Sequence, residues 1–231
     1  MPSVRIRLAV LLLVPLLLAA PLAQAQSDQQ LLVDKAANAA LSMKKDPALE
    51  ALHSLMQRAR GVVIVPALIK AGFILGGAGG AGIIAARDHE TNSWSDPAFI
   101  DLGAASIGAQ IGAEVAEIVI VVTSEKALNA LLANRVTLSA EAGLVIGTLG
   151  GEREAGTATN LAADLYAYSR SKGLFGGLSI EGAMILSDED WNSAYYGTPA
   201  TTREIIMLRK LSNPGAQALK SALAELSGAP L

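Results

Sequence analysis

KAGFILGGAGGAGIIAAR, residues 70–87, is the stretch that decides between two folds. Within it, Gly77-Ala78-Gly79-Gly80-Ala81-Gly82 satisfies G-x-G-x-x-G, the pattern of a loop that cradles a dinucleotide pyrophosphate. Such a loop needs a helix directly after its glycines, because the helix N-terminus holds the phosphate. Here only five residues, IIAAR, separate Gly82 from the polar stretch DHETNSW. The stretch is therefore interpreted as a strand, and a dinucleotide-binding enzyme is not expected.

Glycines recur in successive apolar segments of the chain. Nineteen of the 22 glycines lie between Gly61 and Gly182. Glycine in a strand costs roughly 0.5–1 kcal/mol relative to alanine and marks bulges, coiling or close backbone approach. So many of them predict a strongly curved sheet with little room on its inner face. Two polar residues that lie among these small residues, Gln110 and Glu181, are assigned to the same structural motif. Its glycines are Gly76, Gly77, Gly79, Gly80, Gly82, Gly108, Gly112, Gly176, Gly177 and Gly182.

Period-two alternation and short apolar runs predict the strands of this block. The predicted strands cover residues 61–66, 104–115, 117–122, 136–147, 163–171 and 177–186, with turns at DHETNSW (88–94) and SRSKG (169–173). Helical spacing is found before and after the block, at 27–60 and in the tail. Consecutive strands between helical ends favour α+β over alternating α/β. We therefore predict a barrel-like antiparallel sheet of about seven Gly-rich strands, with N-terminal and C-terminal helices.

The helical flanks set the predicted domain bounds. Ser27 or Asp28 is expected to cap a first helix, and Pro47 to begin a second with Asp46 as its cap. Within the core, a short helix is predicted at 124–134, with Ser124 as its cap. Asn213 followed by Pro214 predicts the start of a C-terminal helix. The predicted organisation is a helical segment at 26–60, a core at 61–212 and the C-terminal helix at 213–231.

The first 25 residues have the features of a secretory signal peptide. Arg5 and Arg7 precede a short apolar run that ends at Ala23-Gln24-Ala25, an A-x-A cleavage pattern. Cleavage would leave 206 residues with 16 basic and 21 acidic side chains, a net charge of −5. We expect export to the periplasm or envelope; an uncleaved N-terminal anchor is the alternative. Nucleic-acid binding is not expected from an acidic chain.

Few residues suit catalysis or metal binding. The chain has two histidines, His53 and His89, and no cysteine, so no spacing typical of a zinc site is present. We expect no metal, no cofactor and no enzymatic activity. A hydrolase that uses a buried carboxylate, at Glu114 or Glu181, is retained as the lowest-ranked alternative, because burial can raise a carboxyl pKa into a catalytic range.

Several motifs together resemble the SYLF domain family. They are KAGF (70–73), the Gly-rich strand after it, TNSWSDPAF (91–99), SIGAQIGAE (106–114), SRSKGLFGGLSIEG (169–182) and AYYG (194–197). The resemblance covers roughly residues 49–197. It implies a non-enzymatic, lipid-binding domain; the eukaryotic members include regulators of cortical actin. Because this chain is predicted to be exported, as a bacterial member would be, actin is not expected as its partner.

The resemblance and the residues together predict a peripheral contact with anionic phospholipid or phosphoinositide-like headgroups. The residues in matching motifs are Lys70, Arg170 and Lys172, with Leu174 and Phe175 in the same turn as apolar contacts. Four further residues, chosen for helix amphipathicity alone, are Lys44, Lys45, Arg58 and Arg60. The alternative is a structural or protein-interaction module without lipid affinity, self-associating through a strand edge or the C-terminal helix.

Overall fold

A computed structural model describes residues 27–72, 75–107, 112–133, 135–139, 144–148, 163–172, 180 and 182–228. The helices in these ranges are α1 (Asp28–Lys44), α2 (Glu50–Gln57), α3 (Glu125–Leu131), α4 (Glu189–Tyr196), α5 (Thr202–Ile206) and α6 (Gln217–Ser227). The strands are β1 (Gly61–Gly72), β2 (Leu75–Ala86), β3 (Ala98–Ile107), β4 (Gly112–Val122), β5 (Arg135–Thr137), β6 (Leu144–Thr148), β7 (Leu165–Lys172) and β8 (Met184–Ser187).

One sheet contains all the described strands, in the order β5-β8-β3-β2-β1-β4-β7-β6. Antiparallel pairings join the first seven strands of that order, and β6 is added in parallel to β7. The sheet curls into a half-barrel with helices from both ends of the chain, so the predicted α+β class and the curved, barrel-like sheet are confirmed.

Both faces of the sheet are buried, which explains why its central strands are apolar without interruption. In β1, Val62 and Ile64 belong to one core cluster, whereas Val63 and Val65 belong to the other. The first face packs against α1, α2 and α6, and the second against α3 and α5. We call them the α1 face and the α3 face.

The helix starts follow the predicted capping residues. The Ser27 side chain accepts a hydrogen bond from the Gln30 amide, and Ser124 does the same for Ala127 in α3. Asn213 caps the 3₁₀ turn Pro214–Ala216, which leads into α6. The second N-terminal helix differs from the prediction, because Pro47–Leu49 form a 3₁₀ turn and α2 begins only at Glu50.

At least four predicted strand limits are wrong, and one of them is the single strand predicted at 136–147, where β5 ends at Thr137 and β6 begins at Leu144. β1 continues past Pro66 to Gly72, because a bulge gives β1 one extra residue relative to both β2 and β4. The single strand predicted at 104–115 is two strands, since Ile107 ends β3 and Gly112 begins β4, with β2 and β1 between them in the sheet. The turn predicted at 169–173 is also misplaced, because β7 runs to Lys172.

The Gly-rich stretch is strand β2, as predicted, and two of its glycines are sterically required. A Cβ built on Gly80 would lie 2.5 Å from the Ala67 carbonyl oxygen, inside the bulge of β1. A Cβ on Gly82 would lie 2.6 Å from the Ile64 carbonyl oxygen. Gly77 and Gly79 face no such contact, with nearest atoms at 3.7 and 4.0 Å. The close approach is therefore confined to the α3 face of β2.

Candidate functional site

The helices of the described ranges leave one end of the α1 face uncovered. Ile69 of β1 and Val115 of β4 are Cα partners, and they are 57% and 47% exposed. Gly79, the partner of Ile69 in β2, and Gly77 are exposed as well. Two branched aliphatic side chains beside a strand segment without side chains form an apolar surface in contact with water. We call these four residues the open end.

A cleft of about 250 Å³ adjoins the open end, where α1 crosses the bulge of β1. Ala67 is two residues from Ile69 along β1, and Ala81 is two residues from Gly79 along β2. The residues that line the cleft include Asp28, Leu31 and Lys35 of α1, Pro66 and Ala67 of the bulge, Ala81, and Trp191 of α4. The lining is therefore mainly apolar, with one carboxylate and one ammonium group contributed by the helix.

Arg170 lies inside β7 and holds α1 against the sheet. Its Nε donates to Glu117 Oε2 of β4 at 2.9 Å, and its Nη2 donates both to that oxygen and to Ser42 Oγ of α1, the latter at 2.7 Å. The Arg170 and Glu117 side chains are only about a quarter exposed, at 28% and 25%. The guanidinium predicted to contact lipid thus already has protein partners.

The other predicted basic residues do not form one patch. Lys70 pairs in register with Ala78 and Glu114, so it alternates with Ile69 and lies on the α3 side of β1. Lys172, the last residue of β7, pairs in register with Val115 of β4.

The basic residues of the N-terminal helices are also dispersed. Lys44 and the exposed Lys45 end α1, close to Ser42 in sequence. Arg58 is exposed, and Arg60 forms an ion pair with Glu125 at 3.4 Å near the opposite end of β1.

Several predicted site residues lie outside the described part of the chain. These are Gly108, Gln110, Leu174, Phe175, Gly176, Gly177 and Glu181, together with the predicted signal peptide at 1–25. Gly182 is described and adopts φ +80°, a conformation that favours glycine.

The aromatic residues of the AYYG motif have structural partners. The Tyr195 hydroxyl donates to Gln30 Oε1 of α1 at 3.3 Å, and the Tyr196 hydroxyl donates to the Pro97 carbonyl at 2.6 Å. Burial raises the pKa of both phenols, and the charge of Asp96 adds to the rise. Both tyrosines therefore stay protonated and join α4 to α1 and to the segment before β3.

Both histidines contact backbone carbonyls near the ends of α1 and α2. His53 Nε2 lies 3.0 Å from the Met43 oxygen, and His89 Nε2 lies 3.0 Å from the Ala59 oxygen. Within the described ranges, no group of three or more acidic, histidine or cysteine side chains is placed to hold a metal ion. None of the helices in those ranges combines the length and the apolar character needed to cross a bilayer.

Sequence reasoning missed the open end and the cleft. Ile69 and Val115 lie in apolar strand segments, and sequence gives no signal that helices leave this end uncovered. Lys35 follows Leu31 by four residues, so helical periodicity alone would have placed the two on one face of α1.

Comparisons with known proteins agree on one family. The model of the Ysc84 family, described as Las17-binding protein actin regulator, matches residues 103–226. Protein YSC84 of Saccharomyces cerevisiae is 34% identical over 168 residues, which cover 71% of this chain and 36% of that protein. LAS seventeen-binding protein 3 of the same species is 32% identical over 155 residues, covering 66% and 33%.

A human protein is similar over much the same span. SH3 domain-containing YSC84-like protein 1 of Homo sapiens is 32% identical over 143 residues, which cover 62% of this chain and 41% of that protein. The chain thus spans only about a third to two fifths of the length of these relatives.

Proposed function

Because the chain belongs to the Ysc84 family, whose domain is also called SYLF, we propose that it is a non-enzymatic domain that binds anionic phospholipid surfaces. It acts as a peripheral membrane protein of the bacterial envelope, to which the predicted signal peptide would deliver it. The family description names a binding protein and actin regulator, and LAS seventeen-binding protein 3 is named for a partner, which agrees with a non-enzymatic role.

The open end is the observation that carries this proposal. Ile69 and Val115 are both about half exposed, whereas the branched aliphatic side chains further along β1 and β4 on this face are buried. Fully burying such a side chain stabilises by about 1.5–3 kcal/mol, so completing the burial of these two would contribute about 1–3 kcal/mol together. An acyl-chain region offers that burial without requiring a complementary protein surface.

Local positive charge supports the preference for anionic lipid. Lys35 in the adjoining cleft is exposed, and Lys172 is the register partner of Val115. Each basic residue near an anionic surface contributes about 1 kcal/mol to the binding free energy. Several such residues together add to the contribution of the buried apolar side chains, although the chain as a whole is acidic. Binding should therefore weaken as salt shortens the range of the field.

Co-sedimentation with vesicles tests the proposal directly. Chain 26–231 should sediment with phosphatidylglycerol-containing vesicles at low salt, less at high salt, and little with phosphatidylcholine alone. The double variant I69S/V115S should lose most of this binding. M207S/L208S is the matched control, because Met207 and Leu208 are 43% and 54% exposed at the other end of the sheet. Equal binding by all three proteins would refute the open end as the contact.

The actin-related properties of the relatives are not part of this proposal. LAS seventeen-binding protein 3 is named for a partner, and the family description names actin regulation. Predicted export places the present chain away from actin, so these properties stay with those relatives.

A protein-interaction role is the second candidate, favoured by Met207 and Leu208. Arg209 beside them adopts φ +47° and donates from Nη1 to Ser93 Oγ at 2.8 Å, which fixes this apolar pair at the turn between β2 and β3. Light scattering of the wild type and M207S/L208S tests this candidate. An oligomer that dissociates in the variant, with no vesicle binding by either protein, would replace the lipid proposal.

A further inference from the structure

The cleft beside α1 exists because β1 bulges at Pro66 and Ala67. Pro66 has no amide hydrogen to give to a ladder, and the extra residue carries β1 out of register with both neighbours. The side chains on the sheet side of the cleft are small, at Ala67 and Ala81. α1 therefore crosses the sheet here without filling the space beneath it.

The polar groups of the cleft are arranged along the helix. Asp28 and Lys35 are seven residues apart, two turns of one helix face, so their backbone positions are separated by about 10 Å. Asp28 lies in the first turn of α1, where the helix dipole favours a carboxylate. Among the described residues no carboxylate pairs with Lys35, whose ammonium group is free for an external anion.

Trp191 gives the cleft its second end. It is half-buried on α4, stands edge-on to Phe99 with ring centroids 5.8 Å apart, and packs beside the core cluster together with Ala81. α4 meets the N-terminal part of α1, since Tyr195 bonds to Gln30. The aromatic wall is thus at the Asp28 end, about two helical turns from Lys35.

We propose that this cleft binds the end of one acyl chain of an anionic amphiphile, with the head group beside Lys35 and the tail against Ala81 and Trp191. The inference rests on the proposed lipid binding and adds to it a specific site for the chain. A mainly apolar lining, whose one carboxylate is that of the exposed Asp28 and whose one cation is Lys35, suits a ligand that has an anionic end beside Lys35 and an unbranched apolar tail. A volume of about 250 Å³ admits one chain end rather than a whole phospholipid.

Bromine quenching of Trp191 fluorescence tests the site with a soluble probe. In W94F, Trp191 is the only remaining tryptophan, and 11-bromoundecanoate below its micelle concentration should quench it saturably. Undecanoate without bromine should compete and restore the signal. In W191F the remaining Trp94, which is buried and bonded to Ser227, should not be quenched saturably.

Two variants test the contact with the tail and the contact with the head group separately. Ala81→Leu fills the cleft and should weaken the apparent affinity at least fivefold, roughly the effect of 1 kcal/mol of overpacking. Lys35→Gln, on the exposed side of the helix, should weaken bromoundecanoate about fivefold and leave uncharged 11-bromoundecanol unchanged. Lys45→Gln, at the far end of α1, is the matched control and should bind as the wild type.

The outcomes distinguish the cleft from the membrane proposal. Quenching that rises linearly with concentration, or that neither A81L nor K35Q reduces, would overturn the cleft. If A81L fails to fold, the K35Q comparison decides alone. Saturable quenching without vesicle sedimentation would support the cleft and overturn the membrane contact. Sedimentation with vesicles without saturable quenching would support the membrane contact and overturn the cleft.

Discussion

The guanidinium of Arg170 connects three elements, β7, β4 and α1. Its partner Glu117 is 53 residues away in sequence and Ser42 is 128 residues away. Neither contact can be predicted from the local sequence SRSKG, which indicates only a basic turn. Arg170, which the sequence predicted to bind lipid, therefore stabilises the position of α1, the helix that borders the cleft.

Replacing Arg170 should therefore affect stability. R170A leaves Glu117 about three-quarters buried without its cation, and hydrogen bonds to charged groups contribute about 1.5–3 kcal/mol. Discounted for partial exposure, the expected loss in the free energy of unfolding is about 1–2 kcal/mol, measured by urea denaturation. R58A, at an exposed site, should change it by less than about 0.5 kcal/mol. Equal stability of R170A and R58A would show that the cluster does not hold α1.

The glycines of β2 should respond differently to alanine according to the face on which they lie. G80A forces a Cβ against the Ala67 carbonyl in the bulge, so we expect a loss of about 1–3 kcal/mol in the free energy of unfolding. G79A meets nothing closer than 4.0 Å and should be neutral or stabilise by up to about 1 kcal/mol. Thermal unfolding of the two variants checks this, and a similar loss in both would contradict the steric argument.

At the scale of elements, local signals predicted most of the secondary structure. Ser27, Ser124 and Asn213 cap their elements as expected, because a cap depends only on residues three or fewer positions away. The bulge at Pro66 was not predicted, since it is defined by the register with two other strands. The division of 104–115 into β3 and β4 was missed for the same reason, because the alternation continues across the junction.

The start of α5 depends on a carboxylate, and its contribution should depend on pH. Thr201 and Glu204 form a capping box, in which the Thr201 hydroxyl and amide both donate to Glu204 Oε2, at 2.9 and 3.2 Å. These hydrogen bonds, the hydroxyl first, hold the pKa of Glu204 below its ordinary value of 4.5. The carboxylate therefore stabilises the fold above pH 4.5, and this contribution is lost as pH falls through the lowered pKa.

Thermal unfolding of Glu204→Ala across pH tests this sign. The melting temperature should be lower than that of the wild type at pH 7, and the difference should shrink below pH 4.5. In a Thr201→Ala background the same substitution should have a smaller, nearly pH-independent effect, because the donors that shift the pKa are altered. A difference that grows on acidification would contradict the capping box as its cause.

At the scale of the whole molecule, the sheet is closed by layers that come from both ends of the chain. α1 and α6 pack together over one face, although 172 residues lie between Lys44 and Gln217 in the sequence. Composition and periodicity predicted both helices and the curved sheet. Composition and periodicity did not predict which helix covers which face of the sheet. The open end could therefore not be predicted, because it is the part of the α1 face that the described helices leave uncovered.

An ion pair between a buried carboxylate and a partly exposed lysine fixes this layer in place. Asp96, before β3, has a side chain only 5% exposed; Lys220 Nζ of α6 donates to its Oδ1 at 3.0 Å, and the Asn213 amide donates to its Oδ2 at 3.1 Å. K220M keeps most of the side-chain stem but leaves a buried carboxylate without its cation. Because removing one partner of such a pair is worse than removing both, we expect K220M to lose about 1–3 kcal/mol. D96N/K220M should lose less than the sum of its single variants, with a coupling energy of about 1–2 kcal/mol by urea denaturation.

Hydrogen exchange should also accelerate in α6 and α1 of K220M before it does in β1 and β4. Additive losses, or exchange that accelerates equally in all four elements, would mean that the helical layer and the sheet unfold without any dependence on this contact.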